Sequence, residues 1–307
     1  MNGNSTLPLD PQWYLDQAAG LPERTEPLPP VPSTFQARAR NTMRNGLSSA
    51  LMRPYFPYYR THRPHSFILE SVAWCWKLLM GQREAERSAA TWEAVKGQPY
   101  FTLPLQLNSD YQIRVHSPFG DMRAALRFVI KSFAEHAPQG VALLVKRHPL
   151  DPGLVGWERL TRKLAAHYGV GDRVHYLSDW DIAQVVQTSL GVVTVNSTVG
   201  TLALNSAKPV VVLGHAVYKV PGIVHHTSLD SFWGAPRQPD MALYSAFRRV
   251  LEDRCLIRGG LLSDEGLQML VDNAVERLEK DPSEVLPLTR PARRRRRGMD
   301  VVHGSAA

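Results

Sequence analysis

Three short apolar runs, VALLV at 141–145, GVVTV at 191–195 and PVVVL at 209–213, constrain this chain most strongly. Each is five residues long, too short for an amphipathic helix and unbroken by the polar alternation of a half-solvated strand. Such runs are expected of strands buried on both faces. Between and before them lie segments of helical period. Asp121–Ala137 carries Met122, Leu126, Val129, Ile130 and Phe133 at that spacing, and Trp157–Tyr168 is closed by Gly169. Asp179–Thr188, with Ser178 or Asp179 as N-cap, and Thr198–Ser206 continue the series. Tyr100–Leu107 and Arg173–Leu177 supply two further strand-like runs. Strand and helix alternate about five times with short links, which predicts a parallel sheet with helices on both faces.

The flanks read differently. Residues 1–35 are rich in proline and polar residues and predict an extended, poorly packed segment. Residues 36–98 form an irregular region ending in a helix over Ser66–Ala94, with Trp74, Trp76, Leu78 and Leu79. That helix suits either docking on the body or a membrane surface. Beyond Trp233, two helices are predicted at Met241–Asp253 and Asp264–Lys280, so the sheet domain is set at 99–281. Residues 282–307 read as a disordered basic tail.

Charge and cysteine content narrow the function classes. The 307 residues carry a formal net charge of +8, but Arg293–Arg297 beside Arg290 supply most of it. The folded body is only mildly basic, which argues against nucleic acid as the main ligand and for a local anionic partner such as a membrane surface. Cys75 and Cys255 are far apart and in no metal-ligand spacing, as expected of free thiols in a reducing compartment. No stretch approaches the ~20 apolar residues of a membrane span. The polar start Met1–Asp10 has no signal-peptide pattern. These features together predict a cytoplasmic location, with peripheral attachment to the inner membrane.

Ligands of an open parallel sheet bind beyond the carboxyl ends of its strands. Lys146, Arg147, His148, Pro149, Leu150 and Asp151 follow one buried run directly. Two cations and an imidazole there suit an anion, and Pro149 holds His148 extended. The alternative is a solvated strand end with a turn proline. Asn196, Ser197, Thr198 and Gly200 follow a second buried run and open a helix. The free amides of a helix start favour an anion. A plain helix cap explains the same residues. Asp110, in QLNSDYQI after the first strand, is a candidate nucleophile or base, or else an Asx turn. Gly214 and Tyr218, beyond the last strand, suit either a base or ribose contact or a structural loop. There is no dinucleotide-type glycine fingerprint and no P-loop motif.

The segments PLQLNSDYQI, HSPF, KRHPLD, GVVTVNSTVG, KPVVVLGHAVYKVPGI and LDSFW, in this order and spacing, resemble bacterial capsule polysaccharide synthesis proteins of the Kdo-transferase type. The likeness covers about residues 55–255. It implies a GT-B glycosyltransferase, with two Rossmann-like domains facing across a cleft and a CMP-sugar donor. On that resemblance, His148-Pro149 and Asn196-Ser197-Thr198 contact the nucleotide phosphate, Lys146 and Arg147 balance its charge, and Asp110 meets the anomeric carbon. Neither metal nor cofactor is implied, and the acceptor is a lipid-linked saccharide. Other capsule assembly proteins are expected partners. The first 95 residues show no alternating strands and helices, so most of the family's N-terminal half is expected to be absent. A non-catalytic capsule assembly or export factor and a sugar-nucleotide epimerase are the alternative functions.

Overall fold

The computed structural model describes residues 7–23, 44–58 apart from 50 and 53, 67–261 and 263–279. Five parallel strands form one sheet: β1 (Tyr100–Pro104), β2 (Ala142–Lys146), β3 (Val174–Leu177), β4 (Gly191–Thr194) and β5 (Val210–Val212). Their order is β3-β2-β1-β4-β5. Phe101 stands beside Leu143 on one neighbour and Gly191 on the other, so β1 is central. This is the Rossmann-like α/β arrangement that the buried runs predict.

Strand alternation splits the core. Phe101, Leu103, Leu143, Val145, Val193 and Val211 face one layer, built by α4 (Met122–His136), α5 (Trp157–His167) and α8 (Leu229–Gly234). Val192, Val210 and Val212 face the other way, onto α7 (Val199–Asn205) and α9 (Met241–Arg254). On the same side, nearer β3, Tyr100, Ala142 and Leu144 meet α2 (Phe67–Val95) and α6 (Ile182–Thr188). Both faces are covered, which favours apolar strand residues; Thr102 of β1 is an exception, its Oγ1 buried without a hydrogen-bond partner. The described chain ends with α10 (Asp264–Glu279).

Four expectations change. The N-terminal segment is not simply extended: α1 (Pro11–Ala18) is capped by Asp10, whose carboxylate accepts from the Gln12 N–H at 3.0 Å. It docks on α9, with Tyr14 buried against Phe247 and the Arg254 guanidinium 5.0 Å over the Trp13 ring. Burial pushes the Tyr14 phenol up to about 12. Proline counting hid an Asp-Pro helix start followed by aromatic residues. Secondly, α6 starts at Asp181, whose side chain accepts from Ala183 N–H, and not at Ser178 or Asp179. Ser178 instead meets Ser88 of α2, oxygen to oxygen at 2.8 Å. Thirdly, the strand predicted to Leu107 ends at Pro104. Fourthly, two short helices were not foreseen, α3 (Tyr111–Arg114) and α8.

The helix predicted over Ser66–Ala94 is α2. Its C-terminal half docks on the sheet, where Trp92 is buried and stacks on Trp180 with ring centroids 5.5 Å apart. Among the described residues, no helix is long and apolar enough to cross a membrane. Residues 24–43 and 280–307, which include the basic tail, lie outside the described residues.

Candidate functional site

The strand order reverses between β1 and β4, because β2 and β3 lie on one side of β1 and β4 and β5 on the other. At such a point the loops leave in opposite directions and open a crevice beyond the strand ends. The loops after β1 and β4 form its walls, and the loop after β2 lies one strand further along. Neighbouring strands are ~4.8 Å apart, so the ends of β2 and β4 are separated by roughly 10 Å. His148 and Ser197 thus both lie at the carboxyl edge of the sheet, on loops that leave strands two positions apart.

His148 is the best-defined group there. Its Nδ1 accepts the Leu150 N–H at 3.1 Å. A backbone amide can only donate, so Nδ1 carries no proton and Nε2 carries the one hydrogen of the neutral ring. Burial lowers the His148 pKa, while Asp151 and Asp110 oppose that shift and Lys146 and Lys77 reinforce it. At neutral pH the residue is a neutral donor of a single hydrogen bond. The influence of Asp110 brings the β1 and β2 loops into one electrostatic neighbourhood. Asp110 caps α3 by accepting the Gln112 N–H at 2.9 Å through one oxygen. The predicted Asx-type turn is therefore present, and the second carboxylate oxygen is not used by the cap.

Ser197 and Thr198 divide the work of the β4 loop. The Ser197 Oγ accepts the Val199 N–H at 3.1 Å, and its own N–H donates to Thr194 Oγ1 at 3.1 Å. Thr198 is exposed and its side chain makes no capping hydrogen bond. The helix that follows has only seven residues.

Asn196, Gly200, Gly214 and Tyr218 pack the loops beyond β4 and β5 against one another. Asn196 is buried, and its amide donates to the carbonyls of Gln112 at 2.9 Å and His116 at 2.7 Å. Its backbone N–H donates to Gln106 Oε1 at 2.9 Å. It thereby pins the β1 loop to the end of β4. A Cβ on Gly214 would stand 2.4 Å from Asn196 Oδ1, so only glycine lets the last strand pass this amide. Tyr218 is wholly buried and donates its hydroxyl to the Ser197 carbonyl. Burial raises its pKa. A Cβ on Gly200 would lie 2.2 Å from the Tyr218 Oη, which makes Gly200 the seat of that phenol. These four positions hold the loops beyond β4 and β5 together, and the Asn196 Oδ1 is buried without a hydrogen-bond partner.

The expected charge balance by Lys146 and Arg147 is also redirected. Lys146 ends β2, and its ammonium donates to the carbonyls of Arg147 at 3.0 Å and Ser178 at 3.2 Å. Burial lowers its pKa to about 8, with Asp179 opposing. Arg147 forms a two-pronged ion pair with Glu84 of α2, and Nη1 donates to Oε1 at 3.3 Å. Both cations serve the α2 side of the sheet.

Sequence reasoning missed the groups that shape the His148 loop. Asp151 is buried and accepts from Gly153 N–H at 2.7 Å and Trp157 Nε1–H at 2.8 Å. Lys77 of α2 donates to the carbonyls of Pro149 at 2.8 Å and Asp151 at 2.9 Å. Asp151 was visible as the last residue of KRHPLD. Nothing in the sequence links Lys77 to it, across more than seventy intervening positions.

The chain matches the family described as capsule polysaccharide biosynthesis protein over residues 1–261. It is 33% identical over 268 residues to the capsule polysaccharide modification protein LipB of Neisseria meningitidis serogroup B, covering 86% of this chain and 64% of LipB. It is 33% identical over 258 residues to the capsule polysaccharide export protein KpsS of Escherichia coli, covering 82% of this chain and 64% of KpsS. The chain thus spans just under two thirds of the length of these relatives. Among solved structures, KpsC of Thermosulfurimonas dismutans, a beta Kdo 2,7 transferase, is 19% identical, with 54% of this chain and 62% of that one covered at a TM-score of 0.31. The family assignment rests on the sequence matches: the chain belongs to the capsule polysaccharide biosynthesis protein family.

Proposed function

We propose that the crevice binds a nucleotide-activated sugar and that the protein acts in capsule polysaccharide modification or export as a glycosyltransferase. The donor in this reading is a CMP-linked ulosonic acid such as Kdo, and the acceptor is a lipid-linked capsule saccharide. The observation that carries it is the state of His148, a neutral imidazole whose Nδ1 is taken by its own loop and whose Nε2–H is left as a donor. A departing nucleotide monophosphate is already a stable anion, so it needs a hydrogen bond more than a proton. Ser197 and Thr198 hold the phosphate from the other wall. As the bond between the anomeric carbon and the phosphate oxygen breaks, the CMP leaves with the electron pair. The Asp110 carboxylate then meets the positive charge developing on the sugar. The acceptor hydroxyl oxygen forms the new bond and its proton passes to solvent.

Calorimetry with CMP and UDP, joined to turnover of CMP-Kdo, tests this. CMP binds in preference to UDP. His148→Ala weakens CMP about tenfold, the value of one hydrogen bond to a charged group. Asp110→Asn leaves CMP affinity within about twofold and abolishes turnover. A preference for UDP sinks the donor assignment in favour of an epimerase-type site. CMP binding with no turnover replaces the transferase by a non-catalytic capsule assembly factor.

A further inference from the structure

With Lys146 and Arg147 engaged elsewhere, the proposed donor lacks its expected counter-charge. A CMP-linked ulosonic acid brings two anions, the phosphate and the carboxylate borne by the anomeric carbon itself. Asp110 adds a further negative charge beside that carbon. Like charges at such short range repel strongly unless a cation stands among them. In the strand ends and loops of the carboxyl edge, the Lys and Arg residues are Arg114, Lys146, Arg147 and Lys219. Lys146 holds the Arg147 and Ser178 carbonyls, Arg147 holds Glu84, and Lys219 donates to the Gly214 carbonyl at 3.1 Å. Arg114 is different. It is exposed, and its guanidinium makes no hydrogen bond or ion pair among the described residues.

The backbone of Arg114 is fixed beside Asp110. Arg114 closes α3, the single turn that Asp110 opens, and its N–H donates to the Asp110 carbonyl at 3.0 Å. Residues four apart on a helical turn are neighbours, with Cβ atoms ~6 Å apart. The two side chains nevertheless form no ion pair, so neither charge is cancelled within the turn. The turn is braced from several directions. Asn196 donates to the carbonyls of Gln112 and His116, which flank Arg114 on either side. Ile113 is wholly buried, and its carbonyl accepts the Ser117 hydroxyl at 2.5 Å. A side chain on so braced a backbone has less freedom to lose on binding. A guanidinium also presents its N–H donors as a planar fork, which takes a carboxylate through two parallel hydrogen bonds.

We infer that Arg114 receives the carboxylate of the donor sugar and sets the preference for ulosonic acids over neutral aldoses. The assignment rests on the proposed function, which supplies the donor. With Asp110 at the anomeric carbon, the carboxylate bonded to that carbon lies within one helical turn of Arg114. One guanidinium then separates the sugar carboxylate from Asp110 and offsets both. His148, Ser197 and Thr198 keep the phosphate, so different loops read the two anions of the donor. An aldose, with hydrogen in place of the carboxylate, forfeits the paired hydrogen bonds.

The test is calorimetry on the full chain, without acceptor, using CMP, CMP-Kdo and the C1 carboxamide of CMP-Kdo. Wild type binds CMP-Kdo about tenfold or more tighter than the carboxamide, the worth of a charge-assisted hydrogen bond. Arg114→Gln binds CMP-Kdo about tenfold more weakly and no longer distinguishes it from the carboxamide. Arg114→Lys keeps part of the preference, because an ammonium carries the charge without the planar fork. CMP affinity stays within about twofold in both variants, and circular dichroism is unchanged because the side chain is exposed. Arg127→Gln, which removes an exposed charge of the same sign from α4, leaves all three affinities within about twofold. Equal losses for CMP and CMP-Kdo in Arg114→Gln overturn the inference, because Arg114 then serves the phosphate. A preference for CMP-Kdo over the carboxamide that survives Arg114→Gln overturns it as well. Both of those results leave the crevice a CMP-sugar site. A wild type that binds UDP and not CMP removes the proposed function, and the role of Arg114 with it.

Discussion

The two halves of the sheet's carboxyl edge start from similar material and end differently. Around the β1–β4 switch point the sequence-predicted polar groups that remain outward are small and neutral or anionic: the His148 ring from the neighbouring β2 loop, one Asp110 oxygen and the Thr198 hydroxyl. Toward α2 the groups that end β2 are cationic, and they are already engaged: Lys146 with two carbonyls and Arg147 with Glu84. Charge at a strand end therefore does not identify a phosphate site by itself. What matters is whether a neighbouring element has claimed the side chain, and here the carbonyls at the ends of β2 and β3 hold Lys146 while Glu84 of α2 holds Arg147. The crevice is shaped by close backbone approaches and one pinned amide, the β2–β3 side by a long helix laid across it.

That contrast can be broken from the crevice side first. Gly200→Ala drives a Cβ to 2.2 Å from the Tyr218 hydroxyl and 2.6 Å from its ring carbon, with no flexible atom to yield. Overpacking of this kind costs about 3 kcal/mol. Urea denaturation is expected to show that loss together with loss of CMP affinity, since the Ser197 carbonyl is tied to the same phenol. Stability near wild type would mean that Tyr218 swings away and that the crevice wall is not built as described.

A smaller effect belongs to the other side. Glu84→Gln strips the counter-charge from a buried guanidinium and is expected to cost about 2 kcal/mol, discounted because Glu84 itself is 27% exposed. CMP affinity should stay within about twofold. Should affinity fall together with stability, the two sides are coupled through the His148 loop more tightly than the contrast allows.

The smallest effect, taken per pH unit, is a pH dependence. Lys146 titrates near 8 in the folded protein, below the ~10.4 of an unfolded lysine. The unfolded chain then holds more protons between those values, so this group makes stability rise with pH from about 8 to about 10, by at most ~1.4 kcal/mol per pH unit. Below the folded pKa both states are protonated and the slope vanishes. Lys77, also lowered to about 8, adds a similar contribution. Comparing stability at pH 8 and pH 10 for wild type and Lys146→Met isolates the Lys146 part, which sharpens the claim that this cation is buried on the α2 side. An unchanged slope in the variant contradicts it.

Much of this molecule was legible from local pattern. Apolar runs at 141–145, 191–195 and 209–213 became β2, β4 and β5 within one or two residues, because a strand covered on both faces tolerates little else. The carboxyl-edge rule then directed attention to the loops after β1, β2 and β4. Among the candidate residues, His148 and Asp110 gained a physical state from the structure, whereas Asn196, Gly200, Gly214 and Tyr218 became its scaffold. Glycine and tyrosine after a strand look the same in sequence whether they approach a ligand or each other. Helix α1 was legible in principle, since Asp10-Pro11 is a helix start, but composition outweighed it.

Sequence alone determined the alternating strands and helices and the parallel sheet they must form. These follow from backbone hydrogen bonding and the period of apolar residues, which are properties of short segments. Tertiary structure alone decided which polar groups at the sheet's carboxyl edge remain available. Lys77 reaching Pro149, Glu84 reaching Arg147 and Asn196 reaching His116 join positions many residues apart. Such pairings depend on where whole elements dock, and no local pattern encodes the docking, because each side chain involved would be equally at home in water.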